Sequence, residues 1–234
     1  MEEAYKFGCG RYIQEADALL RVGEEAKRFG KKALILAGPT AWKVSEEKIV
    51  RGMKDAGVDY VLHLYGGYPS KRQVDENAAQ FKAEGCTLII GVGGGRMMDL
   101  AKASADACAC PVINVPTIAA TCAAYAPLSV IYTDEGRDPE YWWFEKEVDA
   151  IVVDETIMAH QPARYLAAGS LDAIAKFVEV HHNRGAFTPT SVPVDVYAAY
   201  HSAATTYELL NLFTEQACAD VAEGKLTEAV HTVV

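Results

Sequence analysis

The sequence predicts an α/β protein, with a Rossmann-like parallel-sheet domain over residues 1–154 and the start of an all-helical domain over residues 155–234. Three observations support this fold class. Short apolar runs alternate with helical patterns in the first domain, as in a parallel sheet covered by helices on both faces. One of these runs breaks through three consecutive glycines into a helix. Beyond Asp154 strand patterns cease and only helical periodicity is found.

The elements before the glycines follow this alternation. An extended segment, a helix, a strand, a helix, a strand and a helix are predicted, in that order, at 11–14, 16–27, 33–37, 45–56, 59–64 and 70–83. Gly38-Pro39 stops the first of these strands. Ser45 and Ser70 are expected as helix N-caps, because a serine hydroxyl can accept a bond from an N–H group that the helix leaves free.

The chain is organised around residues 87–102, TLIIGVGGGRMMDLAK. Residues 87–92 predict a buried strand, and a helix is expected at 97–107 after Gly93, Gly94 and Gly95. Bare N–H groups at the start of a helix, together with the positive end of its dipole, favour a phosphate. The spacing is not that of the usual G-x-G-x-x-G fingerprint, so a tight turn between two core elements is the alternative.

Later elements complete the sheet and begin the helical domain. The strand 111–115 ends in Pro116-Thr117, and ligands of parallel sheets lie at the carboxyl ends of strands, so this loop and the glycines are expected to face one crevice. A β-hairpin (128–133 and 141–144), a last strand (149–153) and helices follow, the helices at 161–166, 170–182, 193–212, 215–223 and 226–234. The last pattern has no C-terminal stop signal, from which we expect an incomplete helical domain.

Composition narrows the class of protein. The chain has 234 residues and a formal net charge of −10, which argues against nucleic acid or an anionic membrane as partner. Its six cysteines are scattered and are expected as reduced thiols. The N-terminal residues lack an apolar signal core, and no apolar stretch approaches the length of a membrane span. We therefore expect a soluble, cytoplasmic protein.

Four stretches together resemble the iron-containing alcohol dehydrogenase superfamily, and within it the glycerol dehydrogenase branch. They are RYIQEADALL, GVGGGRMMDLAK, NVPTIAATCAAYAPLSVIYTDEGR and AAGSLDAIAKFVE, in the family's order. The resemblance implies a dehydroquinate synthase-like fold with NAD or NADP in a cleft between the two domains. It also implies a divalent metal, zinc or iron, a small alcohol or polyol as substrate, and a homo-oligomer.

The resemblance also assigns roles to individual residues. It implies that Gly93, Gly94 and Gly95 cradle the pyrophosphate, and that Lys102 ends the family motif in the following helix. Further cofactor-binding positions are implied at Gly38, Arg96, Met97, Asp99, Thr117, Ala120, Ala126, Leu128 and Tyr132. Bound in this way, a nicotinamide could exchange hydride with a substrate whose alkoxide a metal stabilises.

Asp172 matches the family's metal-binding aspartate. The alternative is structural: Ser170 is a candidate N-cap, which would put Asp172 in a first helical turn where a carboxylate favours the dipole. The family's metal-binding histidines would lie beyond residue 234, and His181 and His182, expected on the helix of Asp172, are poor substitutes. We therefore expect weak metal binding or none from these residues alone.

Two departures bear on the cofactor. Gly38 stands where NAD-specific relatives carry an aspartate that bonds the adenosine ribose and repels a 2′-phosphate. Its absence predicts that NADP is accepted. Arg96 stands where the family commonly has Lys, Ser or Thr, and either adds charge near the phosphates or points to solvent.

A third departure bears on the substrate. Cys122 replaces the aspartate that glycerol dehydrogenases place beside their polyol. The segment TCAAYAPLSV, which contains Cys122, resembles the hydroxycarboxylate dehydrogenases, which reduce 2-oxo acids. We assign Cys122 to substrate binding and no residue to catalysis. The expected function is an NAD(P)-dependent alcohol or polyol dehydrogenase. The alternatives are a 2-oxo acid reductase preferring NADPH and a non-catalytic nucleotide-binding fragment.

Overall fold

The computed structural model describes residues 8–184, 188 and 190–234, so the N-terminal segment 1–7 lies outside the described residues. The chain divides into two compact units. In the described residues, the α/β unit comprises 8–118 and 122–157, and the helical unit comprises 119–121 and the part that follows 157. No helix in the described part of the chain is long and apolar enough to cross a membrane.

A six-stranded, all-parallel sheet forms the α/β unit. Its strands, in chain order, are β1 Tyr12–Glu15, β2 Lys32–Ala37, β3 Asp59–Leu64, β4 Leu88–Gly93, β5 Val112–Pro116 and β8 Ala150–Asp154. In space their order is β1-β8-β5-β4-β2-β3. The predicted parallel sheet is therefore confirmed, and the short extended segment near the N-terminus is its edge strand, since Tyr12 aligns with Ile151 of β8.

The direction of strand order reverses between β2 and β4. From β2 the chain passes outward to β3 and then returns to β4 on the other side, where Ala37 aligns with Val92. Beyond this pair, the Gly38 N–H donates to the Val92 carbonyl at 3.1 Å. Open parallel sheets bind ligands at the carboxyl ends of strands at such a switch point.

Helices cover the sheet. In the α/β unit they are α1 Val22–Lys27, α2 Pro39–Ala56, α3 Lys71–Glu84, α4 Gly95–Ala107 and α5 Glu155–Met158. The N-cap prediction is right for Ser70, whose hydroxyl accepts the N–H of Gln73 at 3.3 Å. It is wrong for Ser45, because α2 already begins at Pro39, a residue suited to a first helical position.

The core of the α/β unit lies between the sheet and its helices. Fully buried aliphatic side chains of β2 and β4, such as Ile35 and Ile90, pack with Ile49 and Met53 of α2. On β4, Gly91 lets α4 lie close, since a Cβ there would be 2.5 Å from the Cβ of Ala101. The first turns of α4 are thereby set directly over the end of its own strand.

A separate two-stranded sheet confirms the predicted hairpin. Its antiparallel strands are β6 Leu128–Ile131 and β7 Glu140–Trp143, and Leu128 aligns with Trp143. The Tyr132 N–H donates to the Pro69 carbonyl at 2.8 Å, which attaches the end of β6 to the loop before α3.

The helical unit contains α6 Ala163–Arg184, α7 Val194–Ala222 and α8 Glu228–Val233. The predicted pairs of shorter helices are merged into the continuous α6 and α7. Ser170 is consequently not an N-cap, and its hydroxyl bonds the Leu166 carbonyl one turn back at 2.9 Å. Leu166 packs with Val221 and Val230 in this unit's own core. Gly169 is placed where a Cβ would collide with the Ala119 carbonyl oxygen.

Candidate functional site

The candidate site is built on the turn from β4 into α4. Gly93 is the last residue of β4, Gly94 is the N-cap in an extended conformation, and α4 starts at Gly95. The N–H groups of Met97 and Met98 both donate to the Gly94 carbonyl, at 2.9 and 3.1 Å. The first N–H groups of a helix have no partner inside the helix, and they carry its positive dipole end. This turn therefore offers main-chain donors suited to an anion.

Glycine is needed here for close packing. A Cβ on Gly93 would be 2.9 Å from the Cβ of Met97, and one on Gly94 would be 3.0 Å from Cδ1 of Ile118. Contacts this short force the neighbouring backbone or side chain to move. The glycines thus keep the helix start and the loop after β5 close together, which any larger residue would prevent.

The structure brings the neighbouring strand ends to the same turn. On one side, the Thr117 N–H donates to the Gly93 carbonyl at 3.0 Å, so the loop after β5 adjoins the glycines. On the other side, Gly38 follows β2 and is attached to Val92. The Cβ of Ala41, in the first turn of α2, lies 3.8 Å from the Cβ that Gly93 would carry. Gly38, Gly93–95 and Thr117 therefore share one edge of the sheet.

An aromatic pair lies beside the helix start. The guanidinium carbon of Arg96 is 4.7 Å from the centre of the Tyr68 ring, a distance typical of a cation–π contact. The Tyr132 ring is 5.5 Å from the same ring. Sequence reasoning assigned Arg96 and Tyr132 but missed Tyr68. The available signal was its place in the short loop between a strand and a helix, the kind of loop that surrounds a site at strand ends.

Buried contacts join four predicted positions, which are Asp99 and Lys102 of α4, Ala126 before β6 and Leu128 of β6. Lys102 is buried and pairs with Asp99 at 3.2 Å, and its ammonium donates to the carbonyls of Ala126 and Leu128. The Ser129 hydroxyl donates to the Asp99 carbonyl at 2.8 Å. Burial raises the pKa of the Asp99 carboxyl and lowers the pKa of the Lys102 ammonium. These contacts hold the hairpin against α4, and Met97 beside them is also buried.

The remaining predicted positions are divided between the two units. Cys122 is exposed at the start of a short 3-10 turn in the α/β unit. Ala120 belongs to the helical unit, and Asp172 is an exposed residue of α6 there. His181 lies on the same helix, with its Nδ1 3.2 Å from the Tyr200 hydroxyl. In the part of the chain that the structure describes, no three His, Cys, Asp or Glu residues are arranged to hold a metal ion.

A doubly wound parallel sheet with a glycine turn at its switch point defines the chain as an α/β protein of the Rossmann-like class. Comparison with known families then gives its membership. The chain belongs to the iron-containing alcohol dehydrogenase family, whose sequence model matches residues 9–155.

Individual relatives agree with this membership. Glycerol dehydrogenase of Escherichia coli O6:H1 is 37% identical over 170 residues, which is 73% of this chain and 46% of the relative. Hydroxycarboxylate dehydrogenase A of Escherichia coli K12 is 33% identical over 203 residues, 87% of this chain and 55% of the relative. A crystal structure of a probable glycerol dehydrogenase from Sinorhizobium meliloti superimposes with a TM-score of 0.85 at 27% identity, covering 99% of this chain and 63% of that one.

These comparisons support the glycerol dehydrogenase branch of the family. The chain spans about half the length of the two curated relatives, since it covers 46% of one and 55% of the other.

Proposed function

We propose that this chain binds NAD or NADP and acts as part of an oxidoreductase of the glycerol dehydrogenase type. Such an enzyme transfers hydride between the nicotinamide and a small alcohol or polyol, or the corresponding carbonyl compound. The observation that carries the proposal is the glycine turn at the switch point, where Gly93, Gly94 and Thr117 adjoin the start of α4. We assign residues 1–154 to cofactor binding and residues 155–234 to the helical domain. The resemblance also supports a cytoplasmic homo-oligomer.

The residues at the turn fit a dinucleotide. A pyrophosphate needs fixed N–H donors and a close approach to the main chain, and the start of α4 provides both at Gly95 and Arg96. The bound nicotinamide supplies the hydride chemistry. The chain's own contribution is to hold the diphosphate and so to orient the ring, which converts a bimolecular encounter into a positioned one.

The fit favours NADP at the adenosine end. Gly38 carries no carboxylate, and its backbone is extended, at φ −69° and ψ 140°. A Cβ added to Gly38 would lie 3.7 Å from the Cβ of Ala41 and would meet nothing else within 4 Å. Residue 38 therefore has no carboxylate that would repel a ribose 2′-phosphate. We therefore propose that NADPH is bound at least as tightly as NADH.

The described residues do not fit a metal centre. Asp172 supplies one carboxylate on α6, and no group of three ligands is found in the described part of the chain. A single carboxylate does not hold zinc or iron tightly, because such sites use three or four protein ligands. We therefore derive no step of the reaction through a metal.

A second candidate substrate class is the 2-oxo acids. Cys122 is exposed and carries no carboxylate, so it would not repel an anionic substrate as an aspartate would. One relative is named a hydroxycarboxylate dehydrogenase. Cys122→Asp should lower turnover of 2-oxo acids relative to glycerol, whereas Cys122→Ser should leave this ratio unchanged. An unchanged ratio in the aspartate variant would remove Cys122 from the substrate site.

The proposed function is tested by cofactor binding and turnover. The purified chain is titrated with NADPH and NADH while nicotinamide fluorescence is followed, and absorbance at the nicotinamide band is then recorded with glycerol, diols and 2-oxo acids. We expect binding of both cofactors. Binding without turnover of any substrate would support a nucleotide-binding module instead, and absence of binding would overturn the proposal.

A further inference from the structure

Arg96 is held at a defined place beside the glycine turn. It is the second residue of α4, it is exposed, and its guanidinium carbon lies 4.7 Å from the centre of the Tyr68 ring. We find no carboxylate paired with Arg96 in the described part of the chain. Its hydrogen-bond donors are therefore available to an anionic ligand, while its position is set by an aromatic face.

The Tyr68 ring is itself fixed from several sides. Its main-chain carbonyl accepts the hydroxyl of Tyr65 at 2.8 Å, and the Tyr132 ring lies 5.5 Å away. In the hairpin turn, Gly136 has a φ of +78° and approaches so closely that a Cβ there would overlap the Tyr68 ring. A cation stacked on a ring that has neighbours on these sides loses less freedom when it binds a ligand than a freely moving side chain does.

The loops that carry Gly38 and Arg96 meet at one edge of the sheet. Pro39, next to Gly38, lies 3.8 Å from the position that a Cβ of Gly66 would take, and Gly66 precedes Tyr68 in the loop after β3. The Cβ of Ala41 lies near both glycines, 3.7 Å from the Cβ that Gly38 would carry and 3.8 Å from the Cβ that Gly93 would carry. The loops after β2, β3 and β4 therefore adjoin at this edge of the sheet, and Arg96 contacts Tyr68 of the loop after β3.

We propose that Arg96, positioned by Tyr68, binds the 2′-phosphate of NADP and determines the cofactor preference. This inference rests on the proposed function. The resemblance places the adenosine ribose beside Gly38, the residue that follows β2, and in dinucleotide-binding folds an arginine near the ribose accommodates a 2′-phosphate. A guanidinium pairs with two phosphate oxygens at once, so it discriminates strongly between phosphate and hydroxyl.

The test compares the dissociation constants of NADPH and NADH for the wild-type chain, Arg96→Gln and Arg51→Gln. Arg51 is an exposed arginine near the other end of α2, so its loss is a control for net charge. For Arg96→Gln we expect the NADPH constant to rise roughly tenfold to a hundredfold, the scale of a lost charged hydrogen bond. The NADH constant should stay within about threefold, and Arg51→Gln should change neither.

Two further measurements separate recognition from structure. Added salt should weaken NADPH binding more than NADH binding in the wild type, and this difference should shrink in Arg96→Gln. Tyr68→Ala should weaken NADPH binding selectively, while Tyr68→Phe, which keeps the ring, should not. Equal weakening of both cofactors by Arg96→Gln would place Arg96 at the shared pyrophosphate and overturn the inference alone. Failure of the wild type to bind either cofactor would overturn the proposed function as well.

Discussion

Under the proposed function, Gly38 is a single residue at a strand end that sets the preference between NADP and NAD. Its φ and ψ are allowed for every residue, and a side chain added there meets only the Cβ of Ala41 at ordinary contact distance. Glycine is therefore required neither by the backbone nor by packing at this position, whereas a Cβ on Gly93 would be 2.9 Å from the Cβ of Met97. What glycine provides is the absence of a carboxylate beside the proposed ribose site.

Gly38→Asp should reverse the cofactor preference. We expect the NADPH dissociation constant to rise by roughly tenfold through charge repulsion, and the NADH constant to fall. Because residue 38 is the N-cap of α2, where aspartate is a better cap than glycine, the free energy of unfolding should rise by about a few tenths of a kcal/mol. Fluorescence titration and urea unfolding measure the two effects.

Gly38→Ala is the matched control for this change. It adds the Cβ without the charge, so the ratio of the two dissociation constants should stay as in the wild type. A loss of NADPH binding in Gly38→Ala equal to that in Gly38→Asp would show that space, rather than charge, limits the site.

At the scale of elements, the joint between α4 and the hairpin depends on one buried ion pair. Lys102→Met removes the partner of a carboxylate that stays buried, and breaking such a pair costs about 3–5 kcal/mol. We therefore expect the free energy of unfolding in urea to fall by roughly that amount. The double variant Lys102→Met with Asp99→Asn should be more stable than the single one, since no buried charge is then left. Equal stability of the two would contradict this account.

The turn of the hairpin should be sensitive to acid. Asp134 bonds Nε of Arg72 at 2.8 Å and the Ser70 hydroxyl at 2.5 Å. The Arg72 bond, followed by the Ser70 bond, lowers the pKa of Asp134 below its ordinary value of 3.8. A carboxyl with a lowered pKa stabilises the fold above the unfolded-state pKa, and this contribution is lost as the pH falls through the folded-state value.

Asp134→Asn tests this contribution. The wild type should be the more stable protein near neutral pH, and the difference between the two free energies of unfolding should shrink below pH 3.8. Urea unfolding followed by tryptophan fluorescence measures it, because Trp142 and Trp143 lie in β7 of the same hairpin. A difference that stays constant with pH would show that Asp134 does not act as a carboxylate.

Local pattern predicted the elements better than their ends. Ser70 is a true cap because it is itself extended, at φ −130° and ψ 158°, and α3 begins at the next residue. Ser45 and Ser170 lie inside helices, where their hydroxyls bond the carbonyls of Ala41 and Leu166 instead. A serine before an apolar pattern looks the same in all three cases. What decides among them is where the helix starts, and Pro39 was the stronger signal for α2.

The candidate site was predicted where residues of one loop carry it. The glycine turn could be predicted because its strand, its glycines and its helix are contiguous in sequence. The loop after β5 could be predicted because ligands of parallel sheets bind at the carboxyl ends of the strands. The same rule selects the loop that holds Tyr68, but it could not predict the contact of Tyr68 with Arg96, which depends on how the loop after β3 folds. The hydrogen bonds from Lys102 to the carbonyls of Ala126 and Leu128 could not be predicted for the same reason, because they depend on tertiary packing.

At the scale of the whole molecule, cofactor binding and metal binding should be separable. The glycine turn belongs to the α/β unit and Asp172 to the helical unit, and no metal cluster is found in the residues that the structure covers. We expect EDTA to leave the NADPH dissociation constant and the unfolding midpoint of this chain unchanged.

Saturation with NADPH at 100 times its dissociation constant should add about 2.7 kcal/mol to the free energy of unfolding.

An apo preparation reloaded with Zn²⁺ or Fe²⁺ provides the converse test. A midpoint that falls with EDTA and recovers with either ion would reveal a metal site that the described residues do not account for.

The pairing of β1 with β8 has a consequence for biosynthesis. Tyr12 pairs with Ile151, so β1, which comes first among the strands of this sheet in chain order, has no partner until β8 has been synthesised. At about 5–20 residues per second this delay is on the order of ten to thirty seconds. During that time β8, which lies between β1 and β5 in the sheet, is missing, and the interior strands must assemble from the β2–β4 pair outward. The nascent chain would therefore expose the edges of β1 until β8 has been made.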